Sequence, residues 1–170
     1  MNEADIPRIN DEIACKFLKI EADLRIHRSA RELLEGLITA IETEFAIPYV
    51  WLSILRVEEA AGLLKTLAAS DFISDRLNII EEEAFREVVP DSTTPLLACG
   101  DLRRLFRLLP PSKKYFIRSL AIAPLTFRGR LIGSLNHGDH SPGRYQPDMN
   151  TSLLQHLART VSERLTLLLS

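Results

Sequence analysis

Three stretches of the chain carry apolar residues at the spacings of three and four that are typical of an amphipathic helix. The first stripe consists of Ile9, Ile13, Phe17, Ile20 and Leu24. A narrow stripe of this kind is typical of a helix that packs against a partner helix, either in the same chain or in a second copy. We therefore predict that residues 1–28 form a helical extension that mediates dimerisation.

The second and third stretches predict helices with clear starts. Ser29 can cap the free amides of a new helix while Glu32 reaches back, and Pro48 ends that helix. This predicts a helix from about Ala30 to Phe45. The last helix is expected after Pro147 and a polar cluster. Its apolar side is expected to contain Leu153, Leu154, Leu157, Val161, Leu165 and Leu168.

Strands are predicted where apolar runs are rich in β-branched and aromatic residues. Tyr49–Leu55 is expected to be a strand with both faces mostly covered, and residues 95–99 a short strand. Residues 115–127 and 130–138 are two apolar runs that meet across a very short turn with Gly129. This arrangement is typical of a β-hairpin.

The middle of the chain is less clear. Residues 58–72 fit either a helix or a hairpin arm, so the structure of residues 58–80 stays open. A short helix closed by Pro90 is expected next. Asp101 can cap a further helix, which ends at the two prolines before Ser112. Its expected apolar face comprises Leu102, Leu105, Phe106 and Leu109.

Length and charge narrow the function classes. A chain of 170 residues that is 46% hydrophobic suits one domain with a proper core. A net charge of −2 gives no general attraction to nucleic acid or to an anionic membrane. The acidic start differs from a signal peptide, so a cytoplasmic protein is expected. Cys15 and Cys99 are too few for a disulfide framework and are expected to be buried thiols.

The C-terminal half resembles the GAF domain family. Residues 119–165 read "SLAIAPLTFRGRLIGSLNHGDHSPGRYQPDMNTSLLQHLARTVSERL". They are similar to the GAF pattern of a strand with Pro-Leu, a glycine turn, an Ile-Gly-Ser-Leu strand, a loop with an aromatic and Pro, and a final helix. The stretch "SARELLEGLITAIETEFAIPYVWL" more loosely resembles a bacterial GAF-like branch of unknown function.

The resemblance implies an α+β, PAS-like fold over residues 29–170. In this fold a central antiparallel sheet has a helix pair on one face, with short helices and loops over a pocket on the other. Family members sense ligands, bind cyclic nucleotides or tetrapyrroles, or dimerise, and the fold does not decide among these roles. The Asn-Lys-Phe-Asp-Glu motif of the cyclic-nucleotide branch and a bilin-attachment cysteine are both absent. The branch that reduces free methionine sulfoxide uses several cysteines, whereas here only Cys99 falls in the pocket-facing half.

His137, Asp139 and His140 form the densest group of potential metal ligands. A zinc site needs three or four converging ligands, and turn residues around Asp139 explain this composition without a metal. We therefore expect a solvated turn and predict no metal or cofactor. Ser134 and His137 lie on opposite faces of a strand, so they cannot act as nucleophile and base. No motif predicts an enzyme.

Basic residues cluster without an acid between positions 103 and 118. A solvated face explains them, but arginine also binds phosphate and carboxylate through two parallel hydrogen bonds. Arg118 is the best candidate because it is expected inside an apolar strand, where an unpaired charge is costly. The other candidate ligand-binding residues are Trp51, Ser53, Cys99, Arg103, Arg107, Ser134 and Asn136.

The sequence thus predicts a regulatory, ligand-binding GAF-like module that forms a homodimer and signals through a separate output protein. A structural dimerisation module with a filled pocket is the alternative, and a small enzyme is the third possibility. An open cavity with convergent polar groups would favour ligand binding. An interior filled by Trp51, Phe106 or Phe116 would favour the structural role.

Overall fold

The computed structural model describes residues 5–110 and 112–169, with side chains described from residue 10. Ile9 of the predicted stripe therefore lies outside the described side chains. The α-helices are α1 (Asp5–Leu24), α2 (Ala30–Phe45), α3 (Ala61–Ala68), α4 (Asp71–Ser74), α5 (Glu82–Val88) and α6 (Ser152–Leu169). The strands are β1 (Tyr49–Leu55), β2 (Leu77–Ile80), β3 (Leu96–Cys99), β4 (Ser119–Phe127) and β5 (Arg130–Asp139). Two 3₁₀ helices cover Glu58–Ala60 and Arg103–Leu108.

The strands form one five-stranded sheet in the order β2-β1-β5-β4-β3. β1, β5, β4 and β3 pair antiparallel, whereas β2 pairs parallel to β1. The sheet is therefore mixed: the other four strands pair antiparallel as expected, and β2 adds a parallel strand at one edge. The physical reason is the connection: α3 and α4 return the chain to the starting end of β1, so β2 runs in the same direction.

α2 and β1 have the predicted boundaries. The Ser29 hydroxyl accepts a hydrogen bond from the amide of Glu32 at 3.1 Å. The Glu32 carboxylate reaches back to the amide of Arg28, one residue before the expected partner. Ala46 ends the helix in the left-handed conformation, and β1 then enters the sheet with six of its seven residues buried.

The β4–β5 hairpin turns at Arg128 and Gly129, which both have positive φ. This matches a two-residue turn whose twist suits a hairpin. Pro124 fits within β4 because the pairing with β3 covers only Ser119 to Ile122 and leaves that side open. The first hairpin strand begins at Ser119 rather than at the predicted residue 115.

Helices α1, α2 and α6 form a layer on one face of the sheet, here called the helix face. Ile20 and Leu24 of α1 are buried in this core with Leu33, Leu37 and Leu157. Three polar contacts fix α1 and the turn after it: His156 with Glu21, Lys19 with Glu44, and Arg164 with the carbonyl of His27. Leu153 was expected on the apolar side of α6 but is 41% exposed.

The opposite face of the sheet is covered by α5 and the 3₁₀ helix Arg103–Leu108. Their apolar residues pack on Leu55, Leu120 and Ile122 of the sheet in a second core. The segment predicted as an α-helix after Asp101 is thus a 3₁₀ helix. Leu102, Leu105 and Leu109 are buried as expected, and Phe106 is partly buried.

Candidate functional site

The interior beneath α5 and the 3₁₀ helix is filled by side chains. Trp51 projects from β1 into this core and is 2% exposed. Its indole nitrogen donates a 2.7 Å hydrogen bond to the carbonyl of Leu108. Gly138 makes room for the ring, because a Cβ there would lie 3.0 Å from Cζ3 of Trp51. Trp51 therefore fills the region where the sequence predicts a pocket.

A buried polar chain runs across the centre of the sheet. The Ser134 hydroxyl donates to Oδ1 of Asn136 at 2.7 Å, and Nδ2 of Asn136 donates to the Ser53 hydroxyl at 2.9 Å. All three side chains are fully buried. Strand alternation places them on the same face as Trp51, as the pairing of Trp51 with Asn136 requires. These groups satisfy one another, so they form a rigid internal network rather than an open binding surface.

A surface groove of about 280 Å³ lies at the edge of the same face, and we call it the basic groove. It brings together Arg103, Lys114 and Arg118 with the aromatic rings of Phe106 and Tyr115. The two rings meet edge to face with centroids 5.7 Å apart. Three of the predicted basic residues therefore converge at one site.

Arg118 does not have the position on which its selection depended. It precedes β4, its side chain is exposed, and its amide donates to the carbonyl of Asp139 at 2.8 Å. The argument from a buried, unpaired guanidinium is therefore wrong, because solvent can stabilise this charge. Because most of residues 115–127 are apolar, the sequence does not indicate that the strand begins only at Ser119.

The charges of the groove are only partly compensated. Asp101 accepts hydrogen bonds from the guanidinium of Arg103, the shortest at 2.6 Å, and these lower the pKa of Asp101 to about 2. Lys114 lies over the rings of Phe106 and Tyr115 at 5.4 and 5.2 Å from their centroids. In the described part of the chain, no carboxylate forms an ion pair with Lys114 or Arg118.

Two other predicted site residues lie outside the groove. Arg107 is exposed, and its carbonyl accepts a hydrogen bond from Asn78 at 2.8 Å. Alternation in β3 places Cys99 on the same face as Leu97, which belongs to the helix-face core. Cys99 thus lies on the opposite face of the sheet from the basic groove. Cys15, expected to be buried, is exposed on α1.

The histidine cluster separates in three dimensions. His137 lies within β5 and is 3% exposed, so the expectation of a solvated turn is wrong for this residue. Asp139 accepts from Arg144 at 3.2 Å, and Nδ1 of His140 lies 3.3 Å from the carbonyl of Phe116. Within residues 5–110 and 112–169, no group of three or more histidine, cysteine, aspartate or glutamate residues could hold a metal ion.

His137 has an unusual environment that the motif search missed. Burial, with the nearby Arg144 charge, lowers its pKa to about 4, so the imidazole is neutral near pH 7. Burial also raises the pKa of Tyr145, whose ring centroid lies 6.2 Å from that of His137. The signal in the sequence is alternation: Leu135 and His137 share one face of a long strand, and Leu135 is in the helix-face core.

The class of the protein follows from this architecture: it is an α+β protein with a GAF-like fold. A solved structure described as free methionine-R-sulfoxide reductase from Neisseria meningitidis in complex with its substrate is similar, with a TM-score of 0.54. The match covers 89% of this chain and 87% of that chain at 15% identity, which is evidence for the fold alone.

The family follows from the sequence as a whole. Residues 4–167 match the model of a family described as a protein of unknown function, DUF484, so the chain belongs to that family. A search of curated proteins gives no match. In the described part of the chain, no helix has the length and apolar character needed to cross a membrane.

Proposed function

We propose that this protein is a regulatory module that binds a small anionic molecule in the basic groove and acts as a homodimer on a separate output protein. The observation that carries the proposal is the convergence of Arg103, Lys114 and Arg118 around one groove, in which Asp101 is the only carboxylate among the described residues. An anion with phosphate or carboxylate groups suits such a set of donors.

The three cations differ in whether a carboxylate already pairs with them. Arg103 is already engaged by Asp101, whereas Arg118 and Lys114 are exposed or half-exposed at the same groove. Arg118 can offer two parallel N–H groups, and Lys114 can add a charge over the aromatic pair. We therefore assign Arg118 as the main anion contact and Lys114 as the second, with Phe106 as an apolar wall.

Nuclear magnetic resonance titration tests this assignment with inorganic phosphate and with citrate as probes. We expect saturable shifts of backbone signals around Gly100, Lys114 and Arg118, and a loss of affinity of about tenfold in Arg118→Ala. Arg104→Ala is the matched control, because Arg104 is an exposed arginine outside the groove. Equal weakening by both variants, or no saturation with either probe, would contradict a specific anion site.

The dimer is proposed through the N- and C-terminal helices. α1 and α6 lie side by side, and each carries a large apolar side chain that is mostly exposed: Leu18 at 64% and Leu167 at 68%. Pairing of these surfaces would remove the side chains from water. We expect that Leu18→Lys with Leu167→Lys yields a monomer by light scattering. Leu18→Met with Leu167→Met is the control, and a double-lysine variant that keeps the wild-type mass would contradict the proposed interface.

A structural dimerisation module without a ligand is the second candidate. The filled interior around Trp51 favours this role, because side chains occupy the region in which the sequence predicts a pocket. The two candidates differ in the groove: a purely structural module would show no saturable anion binding while still forming the dimer. Catalysis is not part of either proposal.

A further inference from the structure

A second cavity lies on the helix face, at the end where α1 and α6 meet the sheet. Its volume is about 230 Å³. The wall is mainly apolar and includes Phe17, Phe45, Ile47, Leu97 and Leu154. Ile13, Met149 and Leu153 are each between 36% and 42% exposed and form the rim. The cavity thus opens to solvent between α1 and the start of α6, away from the basic groove.

His137 gives this apolar cavity one polar group without a partner. The imidazole lines the cavity, and its Nε2 atom is buried. Among the described residues, this nitrogen has no hydrogen-bond partner. A buried polar atom of this kind costs free energy unless something bonds to it. The neighbouring polar groups of the loop before α6 do not supply that bond.

Arg144, the one charged side chain among the described residues that line the cavity, is already paired. The guanidinium of Arg144 donates to the carboxylate of Asp139 at 3.2 Å and to the carbonyl of Phe45 at 2.7 Å. Arg144 is therefore held by two acceptors and is compensated by the Asp139 carboxylate. The imidazole is itself neutral at physiological pH. Among the described lining residues, a ligand with a net charge would find no unpaired charge of opposite sign.

We propose that this cavity binds a small, neutral and largely apolar molecule with one hydroxyl group, and that the hydroxyl hydrogen-bonds to Nε2 of His137. A hydroxyl both donates and accepts, so it can satisfy Nε2 in either tautomer of the imidazole. An apolar cavity of about 150 Å³ is large enough for benzene, so this volume suits one substituted ring or a short branched chain.

Two probes that differ only by the hydroxyl group isolate its contribution: 4-methylphenol and toluene. Ligands with so few atoms bind weakly, so titrations reach about 5 mM. We expect 4-methylphenol to bind with a dissociation constant of about 1 mM and to shift the imidazole signals of His137. Toluene is expected to bind about fivefold more weakly, because it leaves Nε2 without a partner. In His137→Phe the two probes should bind alike.

A second variant pair does not alter the buried imidazole. Leu153→Trp places a larger side chain at the rim and should weaken both probes about tenfold or more, since overfilling a small site excludes a ligand. Leu167→Trp is the control on the same helix, outside this cavity. Arg118→Ala should leave 4-methylphenol binding unchanged, which separates this site from the proposed anion site.

Three results would overturn the proposal. They are equal affinity of the wild type for both probes, the absence of binding by either probe at the highest concentration, and unchanged binding in Leu153→Trp. Loss of anion binding with retained 4-methylphenol binding would affect only the proposed regulatory function. Retained anion binding with no phenol binding would affect only the cavity on the helix face.

Discussion

Acidification should destabilise this protein through His137 at a pH where most carboxylates are still ionised. The imidazole is buried on the helix face and has a pKa of about 4 in the folded state. In the unfolded chain the same group titrates near its ordinary value of about 6.5. Between these two values the unfolded state binds more protons than the folded state, so stability falls as the pH falls.

The magnitude follows from the two pKa values. A difference of about 2.5 corresponds to about 3 kcal/mol when the pH has fallen below both values. Part of this stability is already lost at mildly acidic pH. From pH 7.5 to pH 5.5, protonation of the imidazole alone should lower the free energy of unfolding by about 1.3 kcal/mol. Carboxylates titrate mainly below about pH 5, so this interval isolates the histidine contribution.

Urea unfolding at pH 7.5, 6.5 and 5.5 measures this contribution in the wild type and in His137→Phe. The loss between pH 7.5 and 5.5 should be smaller by about 1.3 kcal/mol in the variant, since phenylalanine takes up no proton. His140→Gln is the control, because His140 is exposed and its removal should keep the wild-type loss. If the wild type and His137→Phe lose equal stability over this interval, the reasoning from burial is refuted.

Four further substitutions test the packing of the sheet and helices. Asn136→Ala should lower the free energy of unfolding in urea by about 3 kcal/mol, because it leaves the buried hydroxyls of Ser53 and Ser134 without their amide partner. A decrease below about 1 kcal/mol would mean that water replaces the amide. Gly133→Ala should prevent normal folding, because a Cβ there would lie 2.0 Å from the carbonyl oxygen of Ser53. In Gly62→Ala, by contrast, the new Cβ in α3 has no atom within 4 Å, so this substitution should raise the stability by up to about 1 kcal/mol. Circular dichroism and thermal denaturation compare the pair, and a well-folded Gly133→Ala would contradict the clash. Ser29→Ala should lower the stability by about 1 kcal/mol through the lost cap of α2, and Ser112→Ala, at an exposed serine, is its control.

Elements with strong local signals could be predicted from the sequence, and α2 and β1 have the predicted boundaries. α2 has a cap at Ser29 and a proline after its end, so local chemistry determines both of its limits. β1 consists of β-branched, aromatic and leucine side chains with the exception of Ser53, a composition that suits a central strand. The β4–β5 hairpin is specified by Gly129 between two long apolar runs.

Elements that depend on distant contacts could not be predicted in the same way. β2 has only four residues, and its pairing with β1 depends on the path of α3 and α4 rather than on its own composition. The 3₁₀ helix Arg103–Leu108 has the apolar spacing of an α-helix, and packing on the sheet selects the tighter form.

The candidate site also has features that local sequence indicates and features that depend on distant contacts. Local charge density drew attention to Arg103 and Arg118, but only the fold brings them together with Lys114. His137 was judged by its polar neighbours Asp139 and His140, although its place in the alternation of β5 determines its burial. No pattern within one segment indicates a cavity whose wall is shared by α1, β3, β5 and α6.

The packing of α1 against α6 determines the order in which the chain can reach its native state on the ribosome. Glu21 meets His156 across a separation of 135 residues, so α1 is synthesised long before its partner. At about 5–20 residues per second, that delay is roughly 7 to 27 seconds. β1 also lacks its neighbour during synthesis, because β5 follows about eighty residues later in the chain. Many strand pairings in this sheet are non-local in the same way. The part of the apolar stripe of α1 that packs on α6 therefore lacks its partner throughout this interval, and copies of α1 on adjacent ribosomes can meet before either chain is complete.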